Sequence, residues 1–180
     1  MKNILLFTVV LICFTCKAQQ QIIPLETKGW PVEGTYYKDL NDELLPYIGT
    51  WKGTFDNKTF IITFTKYKDY NSMGNYYKDR LIGKYKMLDN NGTQLYSTYS
   101  LTDDKAKVSS LGFVPNTNRN KILLLFKDLC RDGQMNIYFE NAQKTLIHWR
   151  YFVNQTLITD DTGCSPNNEM PKGDFTLTKQ

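Results

Sequence analysis

From Thr50 onward, apolar and polar positions alternate with a period of two. Trp51, Gly53 and Phe55 fall on one face of an extended segment and Lys52 and Thr54 on the other, as a half-buried strand requires. Asp56-Asn57-Lys58 has turn composition, and beyond it Phe60, Ile62 and Phe64 continue the apolar face within Thr59 to Tyr67, so the two runs make a hairpin. Further strands follow at similar spacing: Leu81 to Leu88, Leu95 to Leu101, Val108 to Val114, Ile122 to Lys127, Met135 to Glu140, Thr145 to Val153 and Phe175 to Lys179. Asn90-Asn91-Gly92, Asn116 to Asn120, Arg131-Asp132-Gly133 and Asn141-Ala142-Gln143 separate them with residues that tolerate turn geometry. Nine short strands without a long amphipathic helix predict an all-β, antiparallel barrel or sandwich, and the consecutive short turns favour an up-and-down barrel.

One short helix is expected ahead of the sheet. Asp39 or Asn41 can cap it, Asp42 and Glu43 suit its first turn, and Leu40, Leu44, Leu45 and Ile48 supply an apolar stripe. Pro46 keeps it short, and Gly49 gives a flexible exit into the first strand.

The start of the chain has a different character. Lys2, the apolar run Ile4 to Cys13 and a small-residue exit near Ala18 read as an export signal, too short in its apolar core to span a membrane as a mature helix. Cleavage after Ala18 leaves a single domain over 19–180. Cleavage before Cys16 instead makes a lipoprotein anchored through that cysteine. Either way the expected location is outside the cytosol: secreted, periplasmic or held at the cell envelope.

Length and charge narrow the choices further. About 160 mature residues suit one domain that can bury roughly 70 per cent of its unfolded surface. The 180-residue chain carries a formal charge of +4, and losing Lys2 and Lys17 leaves 20 basic against 18 acidic residues. Basic and acidic positions are interspersed, which excludes a nucleic-acid footprint. Of four cysteines only Cys130 and Cys164 lie in the body, and in an oxidising compartment such a pair is expected to bond. That bridge would contribute roughly 3 to 4 kcal/mol in the chain-entropy picture.

Candidate chemistry is sparse. His148 is the only histidine, which removes most nucleophile–base arrangements and most zinc sites; it reads as a structural or surface residue. Asp103-Asp104 and Asp160-Asp161 are adjacent acids in turns, and Glu33 and Glu140 stand alone. Asp160 and Asp161 with Asn167 or Asn168 offer oxygen ligands for calcium, with a solvated loop as the plainer reading. No catalytic residue, resident metal or cofactor is assigned. The aromatic load says more: twelve tyrosines, ten phenylalanines and three tryptophans, with Tyr67, Tyr70, Tyr76 and Tyr77 on what reads as a long polar loop from Lys66 to Arg80. Loop tyrosines stack on sugars or anchor proteins, or they fold the loop onto the sheet.

Tyr47-Ile48-Gly49-Thr50-Trp51 resembles the short-helix, Gly-x-Trp opening of lipocalin-like (calycin) barrels. That resemblance implies a basic residue packed over the tryptophan, for which Arg150 on the penultimate strand is the candidate. Strand parity groups Ile147, Trp149, Tyr151 and Val153, so Arg150 could reach Trp51 only from a barrel end. Gly29-Trp30-Pro31, Glu33-Gly34-Thr35-Tyr36-Tyr37 and Leu45 to Gly53 are also similar to an uncharacterised family of small exported bacterial proteins, which implies a location but no activity. The leading expectation is a non-catalytic barrel holding a small apolar ligand among Trp51, Phe55, Phe60, Phe64, Tyr85 and Trp149, with the Tyr67 to Tyr77 segment as a lid. The alternative is a surface protein that binds a glycan or protein through exposed tyrosines; a carboxylate-based hydrolase is the third reading.

Overall fold

A computed structural model describes residues 20–128, 132–153 and 170–180. Eleven strands form one sheet: β1 (Ile22–Pro24), β2 (Tyr36–Lys38), β3 (Gly49–Phe55), β4 (Lys58–Asn71), β5 (Tyr76–Leu88), β6 (Gln94–Ser97), β7 (Val108–Phe113), β8 (Lys121–Lys127), β9 (Asp132–Phe139), β10 (Leu146–Val153) and β11 (Gly173–Lys179). Eight of them, β3, β4, β5, β7, β8, β9, β10 and β11, close into an antiparallel up-and-down ring: β11 returns beside β3, and β7 pairs with β5. This is the antiparallel up-and-down barrel that the alternation predicts, and it is consistent with the lipocalin-like resemblance.

Period-two patterning explains which side chains go in. Phe60, Ile62 and Phe64 on β4 face Met87, Tyr85 and Gly83 on β5, and Ile147, Trp149 and Tyr151 on β10 face Phe139, Ile137 and Met135 on β9. All but the glycine belong to one buried apolar cluster. Closure of the eight-stranded ring removes, within the barrel, the pairing hazard that an open sheet of this width would carry.

One barrel end is sealed by the segment before β3. The expected helix is a single 3-10 turn, Leu45–Tyr47, with Pro46 inside it. Asp39 organises the approach by accepting from the backbone N–H groups of Glu43 at 2.8 Å and Leu44 at 3.2 Å. Tyr47 is fully buried; its ring centre lies 4.3 Å from that of Phe139, and its carbonyl accepts the Trp51 indole N–H at 2.8 Å. At the other end Met170 is buried, and the Pro171 carbonyl accepts the Trp149 indole N–H at 3.4 Å.

The segment from Lys66 to Arg80 is not a loop. β4 and β5 stay paired from Thr59↔Leu88 to Asn71↔Tyr76, turning only at 72–75. About six residue pairs run past the barrel as a ribbon, roughly 20 Å at strand rise. Lys and Asp on alternate positions made this stretch look like a loop; the pairing with β2, parallel at Tyr36↔Tyr77 and Tyr37↔Lys78, supplies the apolar cover that the barrel cannot.

Along its far edge β5 meets three partners in turn: β2, then β7 at Ile82 and Gly83, then β6 at Lys86 to Leu88. The gaps between them are filled by hydroxyls. Ser110 Oγ accepts from the Leu81 N–H at 2.9 Å, and Thr98 Oγ1 accepts from the Tyr85 N–H at 2.8 Å. Both side chains are buried, so each satisfies a donor that would otherwise be stranded away from water.

Candidate functional site

The side chains expected to line an internal ligand site fill the barrel. Trp51, Phe60, Phe64 and Trp149 are 0 % exposed and Tyr85 is 1 % exposed, so these rings pack against one another and against their described neighbours. Phe60 sits at the centre, its ring 5.2 Å from Trp149, 5.7 Å from Tyr85 and 6.1 Å from Phe175. Phe55 departs from the set: it lies at the end of β3 against Phe175, ring centres 5.6 Å apart, beside a 200 Å³ hollow shared with Asp56, Lys58, Met87, Met170 and Lys172.

The expected lid is also absent. Tyr67, Tyr76 and Tyr77 are half-buried in the ribbon, with Tyr76 against Tyr37 at 5.7 Å and Tyr77 between Tyr36 at 6.5 Å and Tyr70 at 4.9 Å. Lys68 Nζ lies over the Tyr36 and Tyr77 rings at 4.1 and 4.3 Å. Tyr70, Tyr76 and Tyr77 are packing, because strand pairing aims them at one another and at Tyr36 and Tyr37, while Tyr67 borders a small hollow with Asp69, Arg80 and Ile82.

The cation over Trp51 is Lys179, not Arg150. Lys179 Nζ lies 5.2 Å from the ring centre. Arg150 points outward, over the Phe152 ring at 4.8 Å and 3.4 Å from Asp174, since β10 turns Trp149 inward and parity sends its neighbour out. Gly49 has φ of +124°, and a β-carbon there would come within 3.2 Å of Lys179 Cε, so the glycine is needed both for its backbone and for the lysine's path.

A cleft of 410 Å³ opens on the rim at the sealed end, lined by Glu26, Lys28 and the β7–β8 connection from Phe113 to Arg119. Its wall is rigid. Val114 N–H donates to the Lys121 carbonyl at 2.8 Å and Asn120 N–H to the Thr117 carbonyl at 2.9 Å, Thr117 Oγ1 donates to the Val114 carbonyl at 2.6 Å, and the Tyr47 hydroxyl donates to the Arg119 carbonyl at 3.2 Å. Asn116, Asn118 and Arg119 adopt left-handed backbone, with φ of 61°, 46° and 61°. Three left-handed residues within a four-residue stretch, held by surrounding hydrogen bonds, mark a wall built to one shape.

The cleft carries one buried polar atom without a partner among the described residues. Glu26 Oε1 is buried and accepts no hydrogen bond. Burial pushes its carboxyl pKa up; Lys78 and Arg119 pull the other way and Glu43 and Asp39 add to the rise. Burial likewise lowers the Lys78 ammonium, against the pull of Glu26. Gly112, with φ of +153°, lies beside both heads: a β-carbon built there would be 3.9 Å from Glu26 Oε1 and from Lys78 Nζ. Arg119 is steadied by an ion pair to Glu43 and by the Phe113 ring at 5.6 Å. By composition Asn116 to Asn120 reads as a turn between strands. The repeated asparagines, which tolerate left-handed backbone, were the available signal.

The other candidates fall elsewhere. His148 lies on the outer sheet face, Nδ1 2.8 Å from Glu140 and Nε2 3.1 Å from Asp174, stacked on Tyr138 at 4.7 Å. Its carboxylate neighbours stand around a cation-capable ring on a strand surface rather than across a cleft, which does not suit glycoside hydrolysis. Asp103 pairs with Lys84 at 2.7 Å. Cys16, Cys130, Cys164, Asp160, Asp161, Asn167 and Asn168 lie outside the described residues.

The whole chain, residues 1–180, matches the sequence profile of a family of unknown function (DUF6705). Neither a curated protein nor a solved structure matches it.

Proposed function

We propose that this chain, which belongs to the DUF6705 family, is an exported, non-catalytic binding protein whose ligand is a short, hydroxyl-rich molecule of the glycan class held in the rim cleft. The observation that carries this reading is the buried, unpartnered Glu26 Oε1 facing a preformed 410 Å³ cleft, a volume within the range of small-molecule sites, roughly 300 to 1,000 Å³. Sugars present hydroxyls that both donate and accept beside apolar ring faces. Glu26 supplies an acceptor, Lys28 and Arg119 supply donors, the Asn116 and Asn118 amides supply both, and Phe113 supplies an aromatic face.

Export rests on the leader-like residues 1–18, with 19–180 as the mature barrel, soluble if cut after Ala18 and lipid-anchored if cut before Cys16. An apolar ligand among Trp51, Phe60, Phe64, Tyr85 and Trp149 would require those packed rings to part, so the cleft is the favoured seat.

Screening the full chain on a glycan array, followed by calorimetry with the best ligand, tests the reading. Glu26→Gln and Lys28→Ala should each weaken binding about tenfold, the scale of one charged hydrogen bond, and Tyr70→Ala should leave it unchanged. Binding indifferent to both cleft substitutions, or uptake of a fluorescent fatty acid instead of any sugar, would reject it.

A further inference from the structure

The ribbon that leaves the barrel ends in two tight turns lying side by side. Gly34 N–H donates to the Asn75 carbonyl at 2.7 Å, and Asn75 Nδ2 donates to Glu33. On and beside these turns Trp30 is 94 % exposed, Met73 95 %, Val32 55 % and Tyr70 48 %. Trp30 and Met73 stand almost wholly in water, while Tyr70 keeps an exposed edge although its ring meets Tyr77 at 4.9 Å and its hydroxyl donates to Asn75 at 2.8 Å. Trp30 and Met73 are the most exposed large apolar side chains among the described residues, and their place together at the far end of a projecting ribbon sets them apart from singly exposed barrel positions such as Leu111 and Phe152. Tryptophan, tyrosine and methionine at such a tip are the side chains that partition into the headgroup region of a bilayer, where an apolar body and a polar edge are both accommodated.

The chain preceding the fold arrives on the same ribbon. Gln20, the first described residue, donates from Nε2 to the Thr35 carbonyl at 3.4 Å and accepts from Lys68 Nζ at 3.5 Å. The apolar run Ile4 to Cys13 and Cys16 lie just upstream in sequence; four residues from Cys16 to Gln20 span at most about 14 Å when extended. Retained as an apolar stretch, or replaced by a lipid on Cys16, that segment would tether the protein from the flank of the ribbon; cleavage after Ala18 would remove it. A single acyl chain gives only marginal membrane residence and needs a second contact to become stable. Two weak contacts on one rigid element reinforce each other through their local concentration.

We infer that the ribbon tip, Trp30 with Val32, Tyr70 and Met73, docks on a lipid bilayer surface and supplies the second membrane contact beside the N-terminal tether. Docked in this way, the chain presents the barrel outward on a stalk of β-ribbon. The inference is independent of what the rim cleft holds.

Trp30 is a built-in reporter, because the other two tryptophans, Trp51 and Trp149, are fully buried. The full chain is mixed with phosphatidylethanolamine–phosphatidylglycerol vesicles whose acyl chains carry bromine, with unbrominated vesicles as reference. Docking predicts a blue shift and loss of the Trp30 component on brominated vesicles, together with its protection from iodide in the water. Trp30→Phe should abolish the quenchable component. Met73→Asp, which alters a residue almost wholly in solvent, should keep the urea midpoint while reducing bromine quenching about twofold or more. Vesicle-bound protein whose Trp30 is still reached by iodide but not by bromine would overturn the inference, as would absence of vesicle binding. Concentration-dependent shielding of Trp30 without vesicles would also overturn it, by assigning the tip to a second copy of the chain.

Discussion

Lys179 Nζ stands 5.2 Å from the centre of the Trp51 ring and donates to the Pro46 carbonyl at 3.0 Å. One side chain from the end of the chain thus holds the tryptophan that begins the barrel and the 3-10 turn that seals it. Since Trp51 also donates to the Tyr47 carbonyl, the first and last strands of the ring are joined through side chains as well as through backbone.

Lys179→Met keeps the aliphatic stem and removes the charge. It should lower stability by about 1 to 3 kcal/mol, combining a cation–π contact with a charged hydrogen bond. Arg150→Met, at the exposed position that the resemblance singled out, should stay within about 0.5 kcal/mol of the parent. Urea denaturation of the two variants side by side distinguishes them, and equal losses would refute the assignment of Lys179.

Ser110→Ala and Thr98→Val each strand a buried β5 N–H, at Leu81 and Tyr85 respectively. A loss of about 1 to 3 kcal/mol is expected for each, the cost of an unsatisfied buried donor. The check is the urea midpoint at unchanged slope, with faster hydrogen exchange at those two amides.

Phe60→Ala removes the ring at the centre of the packed interior. The expected loss is about 3 to 5 kcal/mol. In the parent protein an apolar dye should show no enhanced emission; strong, saturable dye binding by the parent would mean that the interior opens.

Glu26 gives a pH signature. Its folded carboxyl pKa is raised above the ordinary 4.5 by burial, so the fold disfavours the charged form, and stability attributable to this group falls as pH rises through that ordinary value toward the folded one. Below both values the group contributes nothing. Glu26→Gln should therefore gain stability relative to the parent as pH climbs through this window, and the difference should then hold constant to neutrality. Urea midpoints measured from pH 3 to 8 test the sign; a difference that shrinks with rising pH would contradict it.

Much of the barrel was legible because its signal is local. Phe60-Ile61-Ile62-Thr63-Phe64 declares a half-buried strand by alternation alone, and each expected strand has a counterpart among β3 to β11. The ribbon was not legible, since Lys66, Lys68, Asp69 and Lys78 solvate its faces and its apolar cover comes from Tyr36 and Tyr37, some forty residues away. The same distance problem hid the site. Glu26 lies between two short strands and meets the β7–β8 connection only through the fold, and a carboxylate without a neighbouring motif gives no local signal. Parity argued against Arg150 from the start; what it could not show is that the lysine at position 179 reaches back over Trp51.

The ring of strands closes through two narrow junctions. β3 and β11 pair at Lys52↔Thr178 and Trp51↔Lys179, extended by the Gln180 N–H donating to the Thr50 carbonyl at 2.9 Å, and β5 and β7 pair at Ile82↔Ser109 and Gly83↔Val108, extended by the Leu81 N–H donating to Ser110 Oγ. Mechanically the barrel is a three-stranded shell and a five-stranded shell clasped along two short hems. When it yields, it should open as a clam does, the shells keeping their internal ladders while the hems release first.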